Sequence, residues 1–226
     1  MQKTLETLQN LIVVAGHFGA GKTNFAVNLA KHFVRSGKAV TLVDLDIVNP
    51  YFRAADNKAE LEALGVHCVV PDYANTNVDI PSLPPTVLGA LEASVREPER
   101  VTILDVGGDN GAVALGMYNR FFREGGYELL YVVNKYRPLT EELDDAELIL
   151  REIEWSGRLR ATGIVHNSNL GEETAAEDIT DAMPWADELS KKCGLPIVCT
   201  VADESLRGQL AGDDIFYITN ATKQIF

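Results

Sequence analysis

The sequence predicts an α/β protein with a doubly wound, mostly parallel sheet of about seven strands covered by helices on both faces. Two observations support this fold class. Short apolar runs alternate with helical segments along almost the whole chain, beginning with Leu11–Ala15 and Asn24–Arg35. Between these first two elements lies a glycine-rich segment, Gly16–Thr23, of the form G-x-x-x-x-G-K-T.

The later strands are predicted from short runs rich in Val, Ile, Leu and Thr, bounded by polar or turn residues. Leu11–Ala15 is a continuous apolar run, as expected for a strand that is buried on both faces. The other predicted strands are Ala39–Val43, Val66–Val70, Val101–Asp105, Tyr127–Val133, Ala161–His166 and Pro196–Cys199.

The helices are predicted from apolar spacing and from residues that favour helix ends. Gly37 ends the first helix, and prolines precede the one that begins at Thr86. The other predicted helices are Lys58–Leu64, Thr86–Arg96, Thr140–Trp155 and Glu172–Lys192, with Pro184 breaking or restarting the last. Asparagines and prolines predict a loop over Asp72–Pro85. Because no repeat or linker interrupts this order, we expect residues 1–226 to form a single domain.

The glycine-rich segment predicts a phosphate-binding loop. Its glycines allow successive backbone N–H groups to converge on one point, toward which the following helix also directs its positive end. The lysine is expected to reach the β- and γ-phosphates, and the threonine hydroxyl to bind Mg²⁺. The alternative is a glycine-rich turn with a surface lysine. The predicted nucleotide-binding residues here are Gly16, His17, Phe18, Gly19, Ala20, Gly21, Lys22, Thr23 and Asn24.

Composition narrows the class of protein. The 226 residues are 46% hydrophobic and 23% charged, which is ordinary for a globular domain. The net charge is −13, and no basic stripe indicates a nucleic-acid partner. The three cysteines have no C-x-x-C spacing, the first ten residues lack the apolar core of a leader, and no apolar run reaches membrane-spanning length. We therefore expect a cytoplasmic protein with reduced thiols.

Acidic residues follow two of the predicted strands. Asp44 and Asp46 end the second strand, where carboxylates can hold Mg²⁺ or orient an attacking water; the alternative is that they cap the next turn. Asp105 ends an apolar strand and precedes Gly107 and Gly108, the pattern of a Walker B segment. This pattern predicts Asp105 near Mg²⁺ and a glycine N–H that senses the γ-phosphate.

The base-binding residues are less clearly indicated. Asn134-Lys135-Tyr136-Arg137 begins like the guanine-reading N-K-x-D motif, but Arg137 stands where the aspartate is required, which argues against GTP. Asn167 ends another strand, and its amide is suited to the adenine edge. An Asx-turn that caps the loop is an equally good interpretation of Asn167.

Taken together, these segments resemble the MinD/ParA/CobQ group of P-loop ATPases, of the SIMIBI class and related to the nitrogenase iron protein. The resemblance rests on the phosphate loop, Asp44-Leu45-Asp46, the segment from Asp105 to Asp109 and the segment Gly163–Ser168, and it extends to about Leu210. It implies binding of ATP or ADP with Mg²⁺, slow hydrolysis and a dimer that closes around nucleotide.

The resemblance also assigns roles to individual residues. It implies that Lys22 and Thr23 bind phosphate and magnesium, that Asp46 orients water, and that Asp105 is the Walker B acid. Asn167 resembles the adenine reader of the group. The adenine-flanking loop falls on a segment containing Val201, Ala202 and Asp203.

Two departures from the family pattern bear on assembly and membrane binding. His17 stands where many members have a second lysine that reaches the partner's nucleotide. The tail, Asp213–Phe226, contains one lysine and is not the basic amphipathic helix of members that cycle on membranes, so we expect Phe216 and Ile218 to pack on the core instead.

Three functions remain open at this stage. The first is an ATP-hydrolysing switch whose output is a nucleotide-dependent surface, and the second is an ATP-dependent small-molecule amide ligase or kinase. A ligase would need an acceptor pocket, for which Asn49–Arg53 and the loop around Pro81 are candidates. The third is a nucleotide sensor that binds a partner without hydrolysis. The sequence does not name a protein partner.

Overall fold

The described residues form one sheet of eight parallel strands. The computed structural model describes residues 4–45, 58–69, 85–107, 111–116, 118–212 and 214–220. The strands are β1 (Leu11–Ala15), β2 (Ala39–Asp44), β3 (His67–Val69), β4 (Arg100–Asp105), β5 (Glu128–Val133), β6 (Gly163–His166), β7 (Ile197–Asp203) and β8 (Ile215–Ile218). Their order is β3-β2-β4-β1-β5-β6-β7-β8, and each neighbouring pair is parallel. The predicted α/β class is confirmed.

Helices connect the strands and cover both faces of the sheet. They are α1 (Lys22–Arg35), α2 (Lys58–Ala63), α3 (Pro85–Arg96), α4 (Gly111–Gly116), α5 (Asn119–Gly125), α6 (Leu143–Gly157) and α7 (Ala176–Cys193). Short 3-10 turns occur at Leu5–Thr7, Gly171–Glu173 and Glu204–Leu206. The predicted loop Asp72–Pro85 lies outside the described residues except for Pro85, which begins α3.

Strand β1 lies inside the sheet and separates two hydrophobic layers. Its residues alternate between faces, as strand geometry requires. Ile12 and Val14 belong to a buried cluster with Phe25 of α1 and with α2, whereas Leu11 and Val13 belong to a second cluster formed with α3 to α7. Because both faces are buried, the carboxyl end of β1 is held firmly where the glycine-rich segment begins.

One predicted helix break is wrong. Helix α7 runs without interruption from Ala176 to Cys193, although Pro184 lies within it. Proline removes one helical hydrogen bond, but tertiary contacts hold the helix on both sides of the residue. Trp185 and Leu189 are buried in the core, and the Trp185 indole N–H donates to the Glu141 carbonyl at 2.8 Å. Packing therefore outweighs the local preference of proline.

Three elements of the fold are not predicted by the sequence. Helices α4 and α5 lie in a stretch of small residues and short aromatic runs without a clear helical period. Strand β8 pairs with the end of β7, and it extends the sheet beyond the predicted last strand. Phe216 and Ile218 do pack on the core, as expected: Ile218 is buried, and the Phe216 ring meets Phe25 at 5.9 Å between centroids.

Candidate functional site

The glycine-rich segment forms a tight loop between β1 and α1, as predicted. Gly16 lies against strand β5: a Cβ atom added to it would be 2.3 Å from the Val132 carbonyl oxygen. Gly21 has φ +86°, in the left-handed region that side chains disfavour, and it is the N-cap of α1. Any larger residue would displace the loop at either position.

The beginning of α1 has features that favour an anion. Its first turn contains no acidic residue, and its N-cap residue, Gly21, has no side chain with which to cap the helix. The N–H groups and dipole of the 14-residue helix therefore face the loop. Lys22 and Thr23 lie in this turn and are buried, with Lys22 only 7% exposed. The Lys22 Nζ atom donates to the His17 carbonyl oxygen at 3.0 Å, so its charge is held over the loop.

Two distant side chains fasten the loop to the rest of the sheet. Arg137, after β5, donates through Nε to the Gly19 carbonyl oxygen at 3.0 Å. Asn167, after β6, donates through Nδ2 to the Ala20 carbonyl oxygen at 2.7 Å, and its own backbone N–H bonds the Val133 carbonyl. The fit is close, since a Cβ atom on Gly21 would be 2.3 Å from Asn167 Nδ2.

Two carboxylates are buried beside the loop. Asp44 ends β2 and Asp105 ends β4, and the two residues are in register across the neighbouring strands. Their exposures are 3% and 1%. Asp105 is also in register with Val14, one residue before the end of β1. The structure thus brings both acids to the edge of the sheet where the glycine-rich loop lies.

Some predicted site residues cannot be placed in the same way. Asp46 and Gly108 lie outside the described residues, so their assigned roles remain predictions. Val201 and Ala202 lie in β7 with buried side chains, and the Asp203 carboxylate accepts from the Ser205 N–H at 2.9 Å. That Val201, Ala202 and Asp203 flank a bound adenine remains a prediction.

The segment that resembles a guanine-reading motif has a structural role here. Asn134 is fully buried, its Nδ2 donates to the Asn169 carbonyl oxygen at 3.0 Å, and its Oδ1 accepts from the Tyr136 N–H at 2.9 Å. The Lys135 N–H donates to Ser168 Oγ at 3.0 Å. These bonds join the loop after β5 to the loop after β6, and they use both the Nδ2 and the Oδ1 atoms of Asn134.

His166, at the end of β6, was not singled out in the sequence. It is fully buried, its Nδ1 lies 3.3 Å from Thr200 Oγ1, and its Nε2 has no hydrogen-bond partner among the described residues. Burial disfavours the charged imidazolium and lowers the pKa of His166 from 6.5 to about 4. Only its place beside Asn167 in the sequence hinted at a position near the site.

We expect His166 to make the fold sensitive to mild acid. Between pH 6.5 and about 4, the unfolded chain takes up a proton at this residue that the folded protein does not. The free energy of unfolding therefore falls as pH falls through this window, by about 3 kcal/mol in all, with no contribution above it. Urea unfolding at about pH 7.5 and about pH 5 measures this effect. His166→Gln should lose less stability than the wild type over the same interval, and equal losses would contradict the assignment.

The described residues contain neither a cluster of metal-ligating side chains nor a membrane-spanning helix. Within those ranges, no group of three or more His, Cys, Asp and Glu side chains is arranged to hold a metal ion. In the same part of the chain, no helix is both long enough and apolar enough to cross a bilayer.

A glycine-rich loop between the central strand and the first helix of a parallel sheet defines a P-loop nucleotide-binding fold. Comparison with protein families agrees with this class. The model of the CobQ/CobB/MinD/ParA nucleotide-binding domain matches residues 11–193. The chain belongs to that family.

Solved structures show the same fold at low sequence identity. FtsY from Mycoplasma mycoides is 17% identical with a TM-score of 0.58, covering 88% of this chain and 62% of that one. Cell division protein FtsY from Thermotoga maritima is 20% identical with a TM-score of 0.53, covering 89% and 64%. The signal recognition particle 54 kDa protein from Aeropyrum pernix, in complex with GDP, is 18% identical with a TM-score of 0.53, covering 86% and 41%.

The chain thus spans between 41% and 64% of the length of these three proteins. At such identities the likeness concerns the fold alone. A comparison with curated protein sequences finds no significant match.

Proposed function

We propose that this protein is a Mg-ATP-dependent switch that hydrolyses ATP slowly and presents a different surface in its ATP-bound state. One observation is central to this proposal: the amino group of Lys22 and the open beginning of α1 face a single loop, beside two buried carboxylates. This arrangement supplies positive charge for phosphates next to oxygen ligands for a metal ion.

Each residue of the proposed site has a distinct role. Lys22 neutralises charge on the β- and γ-phosphates, and Thr23 and Asp105 hold Mg²⁺. Magnesium held by these residues would supply positive charge that stabilises the charge developing on the phosphates during hydrolysis. Asp46 is assigned to orient the attacking water and to assist the metal, and Asp44 is the second candidate for that task. Gly108 is assigned to sense the γ-phosphate through its backbone N–H.

Two contacts support ATP over GTP. The position of the guanine-reading aspartate is occupied by Arg137, whose guanidinium bonds the Gly19 carbonyl. The Asn134 amide forms hydrogen bonds with Asn169 and Tyr136, in the loops after β6 and β5. GTP is nevertheless the competing nucleotide, because one structural neighbour was solved with GDP. Asn167 remains the proposed adenine reader; its Nδ2 bonds the phosphate loop, and its Oδ1 accepts no hydrogen bond from the described residues.

A ligase or kinase and a nucleotide sensor are the two other candidate functions. The residues proposed to line an acceptor pocket, Asn49–Arg53 and the loop around Pro81, lie outside the described residues, so an activity measurement is needed to separate the three. Phosphate release without any added acceptor separates the switch from a ligase or kinase, and binding without turnover would indicate a sensor. We expect slow release that depends on Mg²⁺ and that rises with ATP concentration to a plateau.

The two strand-end acids should differ in their effects on this activity. Asp46→Ala should keep ATP bound and slow its hydrolysis, because the residue is assigned to water. Asp105→Asn should weaken Mg²⁺-dependent binding, because the buried carboxylate is assigned to the metal. Binding and phosphate release measured on both variants check the assignment. Normal hydrolysis by Asp46→Ala would transfer the water-orienting role to Asp44.

Assembly is the other part of the proposal. The phosphate loop and the ends of β2 and β4 share one edge of the sheet, where the γ-phosphate can order the segments that contain Asp46 and Gly108. We expect Asp46→Ala with Mg-ATP to form a two-fold dimer that the nucleotide-free protein does not form. Size exclusion with light scattering measures this. His17 stands where many related proteins have a second lysine. An unchanged monomer mass at saturating Mg-ATP would exclude the dimer.

A further inference from the structure

Arginines gather on the side of the molecule away from the phosphate loop. Arg120 and Arg123 lie one turn apart on α5, and Arg158 follows α6. Together with Asn119 and Glu124 they line a cavity of about 310 Å³. Because α5 and α6 end just before β5 and β6 begin, this cavity lies toward the amino-terminal ends of those strands, and the phosphate loop follows the carboxyl end of β1.

The three guanidinium groups are poorly neutralised by the protein itself. None of them forms an ion pair with a carboxylate among the described residues, although the chain has 33 acidic and only 20 basic residues. By contrast, the neighbouring Arg151 and Arg160 both pair with Glu154, at 3.1 and 2.9 Å. Three like charges around one cavity repel one another, and an anion that enters the cavity removes that repulsion.

Arg158 is held in place at a conformational cost. Its φ is +51°, the only positive value for a non-glycine residue in the part of the chain that the structure describes. Helix α7 ends with Gly194 at the same left-handed position, with φ +68°, as helices commonly do. An L-residue in this region is strained by about 1 kcal/mol relative to glycine. The presence of arginine at Arg158 therefore points to a use for its side chain.

Contacts with α4 and α5 hold Arg158 at the cavity. The Asn119 side chain donates through Nδ2 to the Arg158 carbonyl oxygen at 2.9 Å, which fixes the backbone. Gly116 lies beside the stem of the side chain, since a Cβ atom on Gly116 would be 3.6 Å from Arg158 Cδ, an ordinary van der Waals distance. Arg158 therefore lines the cavity from a position fixed by the end of α4 and the beginning of α5. The site is thus built from three helices.

A large exposed aromatic residue adjoins the arginines. Trp155 is 86% exposed, and it lines a second cavity, of about 790 Å³, which shares Arg158 with the first. Tryptophan and arginine are the residues most enriched where binding energy concentrates in protein interfaces. Arg120, Arg123, Trp155 and Arg158 together form what we call the arginine–tryptophan surface.

We propose that the arginine–tryptophan surface binds a short acidic segment of a partner protein, whose carboxylates enter the cavity between the arginines while an apolar side chain covers Trp155. Guanidinium groups match carboxylates in geometry and charge. A nucleic acid fits less well, because its affinity depends on a track of several phosphate contacts. Here the unneutralised arginines are confined to one cavity, and Glu124 and Glu154 flank them.

The probe is a short fluorescein-labelled peptide of Asp and Glu with a central Phe, titrated with the full chain and followed by fluorescence anisotropy. We expect saturable binding, and about tenfold weaker binding by Arg158→Gly, because a charged hydrogen-bonding group is lost. Glycine suits the left-handed position, so the melting temperature of this variant should not fall. Trp155→Ala should also weaken binding about tenfold.

The matched control is Arg96→Ala, which removes an exposed arginine from another helix and should leave the peptide affinity unchanged. Lys22→Ala should bind the peptide as the wild type does, so a failure of the nucleotide proposal does not affect this result. Three results would overturn the inference: no binding by the wild type, equal affinities of wild type and Arg158→Gly, or a single-stranded oligonucleotide of equal charge that binds more tightly than the peptide.

Discussion

Lys22→Ala is expected to lower the affinity of the protein for Mg-ATP by about 100-fold, which corresponds to the loss of a charge-assisted hydrogen bond in a desolvated site. In the structure, Lys22 is buried in the first turn of α1, with its Nζ atom 3.0 Å from the His17 carbonyl oxygen. The same amino group is the one that we propose meets the phosphates. Calorimetric titration of wild type and variant with Mg-ATP measures the difference.

A second lysine of the same helix provides the control. Lys31 is also buried and pairs with Glu60 at 2.6 Å, but it lies more than two turns from the phosphate loop. Lys31→Met should therefore change stability and leave the affinity for Mg-ATP near that of the wild type. Equal affinities of Lys22→Ala and wild type would contradict the assignment of the phosphate site.

Gly16→Ala is expected to lower the free energy of unfolding by about 3 kcal/mol and to remove nucleotide binding. The added Cβ atom would be 2.3 Å from the Val132 carbonyl oxygen, which belongs to the backbone of the central strand β5. A backbone atom in a hydrogen-bonded ladder cannot move away as a side chain does. The phosphate loop must therefore shift relative to the sheet. Urea unfolding and a titration with Mg-ATP check the two effects.

Gly89→Ala is the matched substitution. Gly89 lies in α3, nothing comes within 4 Å of the position of its added Cβ atom, and alanine favours the helix. The free energy of unfolding of the Gly89→Ala variant should exceed that of the wild type by about 0.5–1 kcal/mol. If Gly16→Ala were as stable as Gly89→Ala, the close approach of Gly16 to the Val132 carbonyl oxygen would be wrong.

The parts of the fold and of the site that depend on residues close together in the sequence were predictable from the sequence. The P-loop between β1 and α1 follows from glycine spacing and one lysine, and Asp105 follows from the apolar run before it. The parallel sheet follows from the alternation of strands and helices, because that pattern requires crossover connections. Asp46 and Gly108 were identified by the same local logic, and their roles remain predictions.

The remaining features depend on contacts between residues far apart in the chain. The Arg137 bond to Gly19 joins residues 118 positions apart, and the Asn167 bond to Ala20 joins residues 147 positions apart. The burial of His166 results from packing between β5 and β7. No spacing in the sequence encodes these distances. The continuity of α7 through Pro184 has the same origin, since tertiary packing outweighs a local preference.

The central claim is that the P-loop binds ATP in preference to GTP. Calorimetric titration of the full chain with each nucleotide in excess Mg²⁺ tests it most directly. We predict that ATP binds at least about tenfold more tightly, because the guanine edge would meet no carboxylate at Arg137 and would lose its hydrogen bonds. Equal or tighter binding of GTP would contradict the assignment of the base, and no heat of binding with either nucleotide would contradict the proposed switch as a whole.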